Sequence, residues 1–276
     1  MKAKKGIIKE NMERKVTKAF QNNVTYFEMM REHNLKTGLD DVNIETDVKS
    51  LILNNLNGNV LDAGGGEGSI SMWMAKNNPD VQVFSIDIPP IGVRMGRELS
   101  NKLNINNENF LIGNLRKIPV SNNSFDLIVC QSVLEHVIGV LDVLKEFYRI
   151  LKKGGKLIIR VGNSESLLHF SFLGWFLRKN RINTKNPTLI LRPGSFENHR
   201  ENFDTCSIPS YVLINQLKKV GFSVQSYTTF PEYVLQRDFN ELPLIKRIAM
   251  KLLFKFRKFP PICHLGGTTI VMVSKS

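Results

Sequence analysis

Cysteine is scarce in this chain: its 276 residues hold three, Cys130, Cys206 and Cys263, far apart and without the paired spacing of a zinc site or a disulfide framework. A reducing compartment is expected. Long apolar runs are missing too. The opening "MKAKKGIIKENMERK" is basic but has no continuous apolar core of signal-peptide length, and no stretch approaches the roughly 18 apolar residues of a membrane span. The sequence therefore predicts a soluble, cytoplasmic protein. Acids are outnumbered, 25 Asp and Glu against 38 Lys and Arg, for a net charge of +13. That surplus points to an anionic partner: a nucleic acid, an anionic lipid surface or a phosphorylated substrate. An apolar content of 42% supports a real core, and the length suits one large domain or a domain with a small cap.

Glycine, in contrast, is concentrated. The stretch "NVLDAGGGEGSI", residues 59 to 70, places four of the 19 glycines within five positions. Ahead of them Val60-Leu61-Asp62-Ala63 reads as the end of a buried strand, and Ser69 to Lys76 reads as a helix start. Strand, glycine turn and helix let backbone N–H groups face a polar ligand. A tight turn without a ligand is the plainer alternative.

The same alternation continues down the chain. Helices are expected over 8–33 and 41–56, then strands at 59–63, 81–87 ("VQVFSID"), 109–114 ("NFLIGN"), 125–133 ("FDLIVCQSV") and at "KLIIRVG". Between them lie the helix of residues 69–76, "PPIGVRMGRELSNKL" with prolines in its first turn, and "VIGVLDVLKEFYRILKKGG" closed by glycine. After residue 162 the pattern lapses, then "SIPSYVLINQLKKVGF" forms a helix ending at Gly221, and "SVQSYTTF" and "GTTIVMVSK" read as strands. Such alternation gives a parallel, doubly wound α/β sheet with ligands at the strand C-terminal ends.

A dinucleotide fingerprint wants glycines at first, third and sixth positions, but counted from Gly64 the sixth is Ser69. The spacing Gly64, Gly66, Gly68 behind Leu61-Asp62-Ala63 instead resembles motif I of the class I S-adenosylmethionine-dependent methyltransferases, of the methyltransferase type 11-like kind. Asp87 at the end of the second strand, "SNNSFDLIVCQSVLEHV" at 121–137 and "RILKKGGKLIIRV" at 149–161 resemble later segments of that family, in order. "HRENFDTCSIPSYVLINQLKKVGF" at 199–222 is similar to the region before its sixth strand.

The resemblance implies a doubly wound, mostly parallel seven-stranded Rossmann-like sheet with an N-terminal helical extension (1–57), a cofactor-binding core (58–161), a lid or acceptor insertion (162–207) and a C-terminal part (208–276). It implies S-adenosylmethionine as cofactor, bound by Asp62, Ala63, Gly64, Gly65, Gly66, Gly68, Asp87, Ile88, Asn114, Leu115 and Gln131. Asp62 would face the ammonium, and Asp87 the ribose hydroxyls; Asp87 could also cap the helix after Pro89. Asn114 stands where the family usually has Asp, so adenine recognition is expected to be weakened, with the Leu115 amide helping. A plain strand-end role is the alternative for Gln131. Methyl transfer from a sulfonium needs alignment and exclusion of water, and a base only for an alcohol, phenol or acidic carbon. Glu135, His136 and His199 are the candidates. No metal site is expected.

The acceptor should be set by the irregular segments. "LLHFSFLGWFLRKNR" looks like a lid, and residues 244–259, "LIKRIAMKLLFKFRKF", put apolar residues at helical spacing opposite Lys246, Arg247, Lys251, Lys255, Arg257 and Lys258. Such a helix suits an anionic membrane surface, or simply packs on the sheet with its charges solvated. Together they favour a small or lipid-like acceptor, a quinone or isoprenoid precursor or a lipid-linked sugar, met at the inner membrane face. RNA is the rival substrate, although Cys130-Gln131-Ser132-Val133 is neither the acid-or-Asn, two-proline, aromatic motif of adenine amino-methylation nor a Pro-Cys nucleophile. A non-catalytic partner subunit is the third reading.

Overall fold

The computed structural model describes residues 24–42, 44–137, 139–162, 190–192, 205–230 and 268–276. They fall into two compact units, one within Met1–Ile158 with Lys275–Ser276, the other within Ile159–Ser274. Helices α1 (Val24–Thr37) and α2 (Thr46–Leu53) precede the alternating part: β1 (Asn59–Ala63), α3 (Ser69–Asn77), β2 (Gln82–Asp87), α4 (Pro90–Lys102), β3 (Glu108–Ile112), β4 (Phe125–Gln131), α5 (Val140–Ile150) and β5 (Leu151–Gly162). The later elements are β6 (Ile190–Arg192), β7 (Thr205–Ser207), α6 (Ser210–Val220), β8 (Phe222–Phe230) and β9 (Thr268–Lys275).

Seven strands form one sheet in the order β3-β2-β1-β4-β5-β9-β8. This is the seven-stranded sheet expected from the sequence, with an N-terminal helix ahead of it. β1 pairs in parallel with both β2 and β4, and β2 with β3. Strand order thus runs outward in opposite directions from the β1–β4 boundary, the place where an open α/β sheet leaves a crevice for ligands. Buried runs explain the central position: Val60, Leu61 and Ala63 of β1 and Leu127 to Cys130 of β4 are all fully buried, as strands covered on both faces must be. β6 and β7 pair antiparallel as a small separate sheet that periodicity did not signal. The rest of the lid stretch, His199 and the basic segment 244–259 lie outside the described residues. Among the described residues no helix is long and apolar enough to cross a membrane.

Several boundaries differ from the sequence reading, among them the helix expected over 41–56, which is α2 (Thr46–Leu53), and the strand expected over 125–133, which ends at Gln131. α1 runs on to Thr37, and the chain then turns through left-handed residues at Gly38 (φ +58°) and Leu39 (φ +72°). α5 stops at Ile150 rather than at the glycines: Leu151 is extended (φ −74°, ψ 137°), and the last helical carbonyls, Arg149 and Ile150, accept N–H groups of Asn123 (3.1 Å) and Ser124 (2.7 Å). "LKKGG" therefore belongs to β5, with Gly154 turning inside it (φ +76°).

Before it ends, α5 fixes the segment that follows β3. Glu146 Oε1 accepts the Ile118 N–H at 2.6 Å and is bridged by Arg149 at 2.7 Å. The Arg149 guanidinium also donates to the carbonyls of Ile118 (3.0 Å) and Val120 (2.9 Å) and to the side chain of Asn122 (2.8 Å). Glu146→Ala would strand a buried N–H and free the arginine, costing about 2 kcal/mol, read as a lower urea midpoint at unchanged slope. The Arg149 hydrogen bond holds the Glu146 carboxyl below its ordinary range. Its contribution is accordingly complete above that range and fades as pH falls through the lowered value.

Candidate functional site

β1 ends at Ala63, and the glycine loop that follows is folded by hydrogen bonds from its own backbone. The N–H groups of Gly64 and Gly65 share the Ile86 carbonyl (2.8 and 3.2 Å), and Gly68 N–H reaches the Gly65 carbonyl at 2.8 Å. Gly64 (φ +84°) has Val133 where a Cβ would be, at 2.4 Å, so a side chain is excluded there on both counts. Gly66 (φ +60°) is different: a Cβ would meet only the Phe27 ring, at 3.9 Å. That side has room for one carbon before the ring of α1 closes it.

Carboxyl groups surround this loop. Asp87 Oδ2 accepts the Gly66 N–H at 2.7 Å and Oδ1 accepts the Ile88 N–H at 2.6 Å. The residue thus braces the loop from β2 and does not cap α4, whose N-cap is Pro89 without a side-chain bond. Each Asp87 oxygen keeps an acceptor position. Asp62 is 2% exposed, and its Oδ2 has no partner. Burial first, then the charges of Asp87 and Glu67, push its carboxyl up to about 7. Glu67 is buried and bonded to Ser69 Oγ, which accepts from Asn34 Nδ2 at 2.6 Å. Glu108, bonded to Ser71, is pushed up to about 8, mainly by burial. Burial raises the carboxyls of Glu67 and Asp87 as well. Burial thus favours the protonated form of these groups, and a cationic ligand beside them would draw them back toward the ionised form.

The other anticipated residues sit around this centre. The β1–β2 register sets Ala63 beside Ile86, and the β2–β3 register sets Asp87 beside Ile112. Gly113 N–H continues the pairing to the Asp87 carbonyl at 2.9 Å. That brings the Asn114 turn next to Asp87 and the 40% exposed Ile88. Asn114 itself is engaged: its Oδ1 accepts the Arg116 N–H at 3.0 Å, leaving one lone pair. Leu115 turns its side chain into the core, 6% exposed. Gln131 closes β4, across the crevice from β1, with its Nε2 buried and without a partner. Next comes Ser132 at φ +52°, and then a single 3-10 turn, Leu134–His136, carries buried Glu135 and half-buried His136. Cys130 is fully buried, and burial drives its thiol well above the ordinary value, as befits a small core residue rather than a nucleophile.

Three participants escaped the sequence reading. Phe27 and Asn34 come from α1, and no local pattern ties them to a loop some 30 to 40 residues away. Glu67 carried a signal, as the one acid inside the glycine cluster.

Residues 54–188 match the family model described as a methyltransferase domain. Over 100 residues the chain is 34% identical to a demethylmenaquinone methyltransferase of Listeria welshimeri, which spans 36% of this chain and 42% of that protein. Over 109 residues it is 33% identical to a ubiquinone/menaquinone biosynthesis C-methyltransferase of Rickettsia prowazekii, 38% of this chain and 44% of the relative. The chain thus matches less than half the length of these curated relatives. Among solved structures, a SAM-dependent methyltransferase from Methanosarcina mazei superposes with a TM-score of 0.59 at 18% identity, over 85% of this chain and 99% of that one. At that identity the likeness speaks for the fold. Sheet order, glycine loop and family match agree that residues 54–188 carry a methyltransferase domain of the S-adenosylmethionine-dependent kind.

Proposed function

We propose that the protein methylates a small or lipid-like acceptor, in the class of quinone or isoprenoid precursors or lipid-linked sugars, with S-adenosylmethionine as donor. One observation carries the donor half: two buried polar atoms without partners, Asp62 Oδ2 and Gln131 Nε2, at the facing ends of β1 and β4 beside the glycine loop. An acceptor and a donor left unsatisfied in a crevice are costly unless a ligand completes them. An ammonium and a carboxylate of one amino-acid group would do so, which is how the residues fit this cofactor.

When bound, S-adenosylmethionine supplies an activated methyl group on a sulfonium sulfur. The chain's own residues would bind and orient it. Asp87 offers its remaining lone pairs to vicinal hydroxyls, the Gly64 to Gly68 backbone and Ala63 allow close approach, and Ile88 gives an adenine an apolar face. Asn114 Oδ1 and the Leu115 N–H are assigned to the adenine edge, the weakest part of the site because Arg116 already occupies Asn114. Glu135 and His136, directly beyond β4, are the groups assigned to take the proton that a phenol or an activated ring carbon releases, with His199 as the remaining candidate. The names of the partial relatives support a quinone-like acceptor, and the basic segment 244–259 supports one met at an anionic surface.

The test offers methyl-labelled S-adenosylmethionine with a short-chain demethylated quinol in micelles, a lipid-linked sugar, or folded RNA. Label on either amphiphile bears the proposal out. Label on RNA alone transfers the assignment to RNA, and cofactor binding without label on any acceptor makes the chain a partner subunit.

Asp62 adds a pH dependence of definite sign. A cation bound beside it requires the ionised form, so cofactor affinity rises with pH through about 7 and levels off above it. Each pH unit below that value costs up to about tenfold in affinity. Without ligand the sign is reversed: stability falls as pH rises from the ordinary carboxylate value of 3.8 toward about 7, because the folded state holds the proton more tightly. Calorimetric titrations at about pH 6 and pH 8 check this, and Asp62→Asn should flatten the profile.

A further inference from the structure

Helix α1 lies against the glycine loop at Gly66, touches the first residue of α3 and packs along α4. Phe27 and Asn34 are seven residues apart, two turns on one face, and are 2% and 1% exposed. Asn34 Nδ2 donates to Ser69 Oγ at 2.6 Å, and Ser69 donates to Glu67. A three-member buried chain thereby runs from α1 through the first residue of α3 into the loop itself. Phe27 lies against Gly66, with its Cε1 at 3.9 Å from where a Cβ there would be and 3.2 Å from one on Gly92 of α4. At the other end of α3, Lys76 Nζ donates to the Gly38 carbonyl (2.7 Å) and to Asp40 (2.6 Å), so the turn after α1 is tied down as well. The opposite face of α1 is exposed, with Met29 at 57%.

We propose that α1 is a working part of the cofactor site: Phe27 packs directly on Gly66 and backs the glycine loop, and Asn34 is a positioning residue that holds the loop through Ser69 and Glu67. This rests on the S-adenosylmethionine reading above and extends it to a helix outside the matched family segment, which begins at residue 54. The reasoning is one of linkage. If the loop takes its ligand-binding shape only while Asn34 holds it, docking of α1 and binding of ligand strengthen each other by the same factor. Ser69 has one proton to give, and Glu67 takes it, so Asn34 must be a donor. An aspartate of the same shape would set a second carboxylate against that single proton.

The test is hydrogen exchange of residues 24–37 and calorimetry, both with S-adenosylhomocysteine as probe and the full chain. Saturating probe should slow the α1 amides at least about tenfold. Asn34→Ala and the isosteric Asn34→Asp should each weaken binding about tenfold, and Phe27→Ala at least as much, while Met29→Ala on the outer face binds like the unaltered protein. A role confined to packing would tolerate the isosteric aspartate, and exchange in α1 would then not respond to the probe. Tight binding by the unaltered protein, with α1 exchange unmoved and Asn34→Asp at full affinity, overturns the proposal and leaves the cofactor reading standing. Failure of the unaltered protein to bind the probe overturns the cofactor reading, and this inference falls with it.

Discussion

Asp87→Ala is expected to weaken S-adenosylmethionine binding at least about a hundredfold, since two charge-assisted hydrogen bonds to ribose hydroxyls, each worth about 1.5 to 3 kcal/mol, would be lost. The loop would suffer with them. Gly66 N–H at 2.7 Å and Ile88 N–H at 2.6 Å both depend on this carboxylate. Ligand-free stability should change far less, because burial already raises the Asp87 carboxyl and its removal relieves that desolvation while stranding two N–H groups. The signature is thus a large fall in affinity beside a thermal midpoint moved by a few degrees. Asp87→Asn should fall between, its single amide oxygen serving one of the two N–H groups. Calorimetry beside thermal unfolding checks both arms, and affinity within about threefold of the unaltered protein would remove Asp87 from the site.

The second large effect concerns Gly96, in the middle of α4, where helix propensity alone favours alanine by about 0.5 to 1 kcal/mol. Packing reverses the sign. A Cβ at Gly96 would lie 2.5 Å from the Glu67 carbonyl oxygen and 2.5 Å from the Phe110 ring. The carbonyl is backbone and cannot turn aside, so α4 must back away from the loop. We expect Gly96→Ala to cost about 1 to 3 kcal/mol and Gly96→Val more, with cofactor affinity falling because the displaced carbonyl belongs to the glycine loop. Gly92→Ala should do less, its nearest backbone contact being 3.0 Å from the Gly66 oxygen. Chemical denaturation would report the order Gly96→Val, Gly96→Ala, Gly92→Ala, and a stabilised Gly96→Ala would contradict the packing seen here.

Much of this was legible before any coordinates, and the reason is local. β1 to β4 show as apolar runs between turn residues, α4 as an amphipathic stretch opened by Pro90, and α6 as a helix ended by left-handed Gly221 at φ +114°. Asp62 and Asp87 were named through the family resemblance, and both stand near the C-terminal end of an apolar strand, where a doubly wound sheet puts its ligands. Gly92 and Gly96 were read only as part of a helix, since their use depends on which carbonyls come to face them. Asn34 and Phe27 were illegible for the same reason. The end of α5 was misplaced because Asn123 and Ser124, which take its last carbonyls, precede the helix in the chain. Asn114 was read as an adenine acceptor, and its partial engagement by Arg116 is a turn geometry that composition does not reveal.

Leu39 carries a lesson for anyone who would redesign this protein. Its φ of +72° is a conformation for which backbone-based rules prescribe glycine or asparagine, and the strain on a leucine is about 1 to 2 kcal/mol. The side chain is also fully buried, which returns roughly 1.5 to 3 kcal/mol. Either recommended replacement would cure the dihedral and empty the core beside it. A stabilisation campaign that scores torsions without volumes would select Leu39→Gly here and recover a weaker protein.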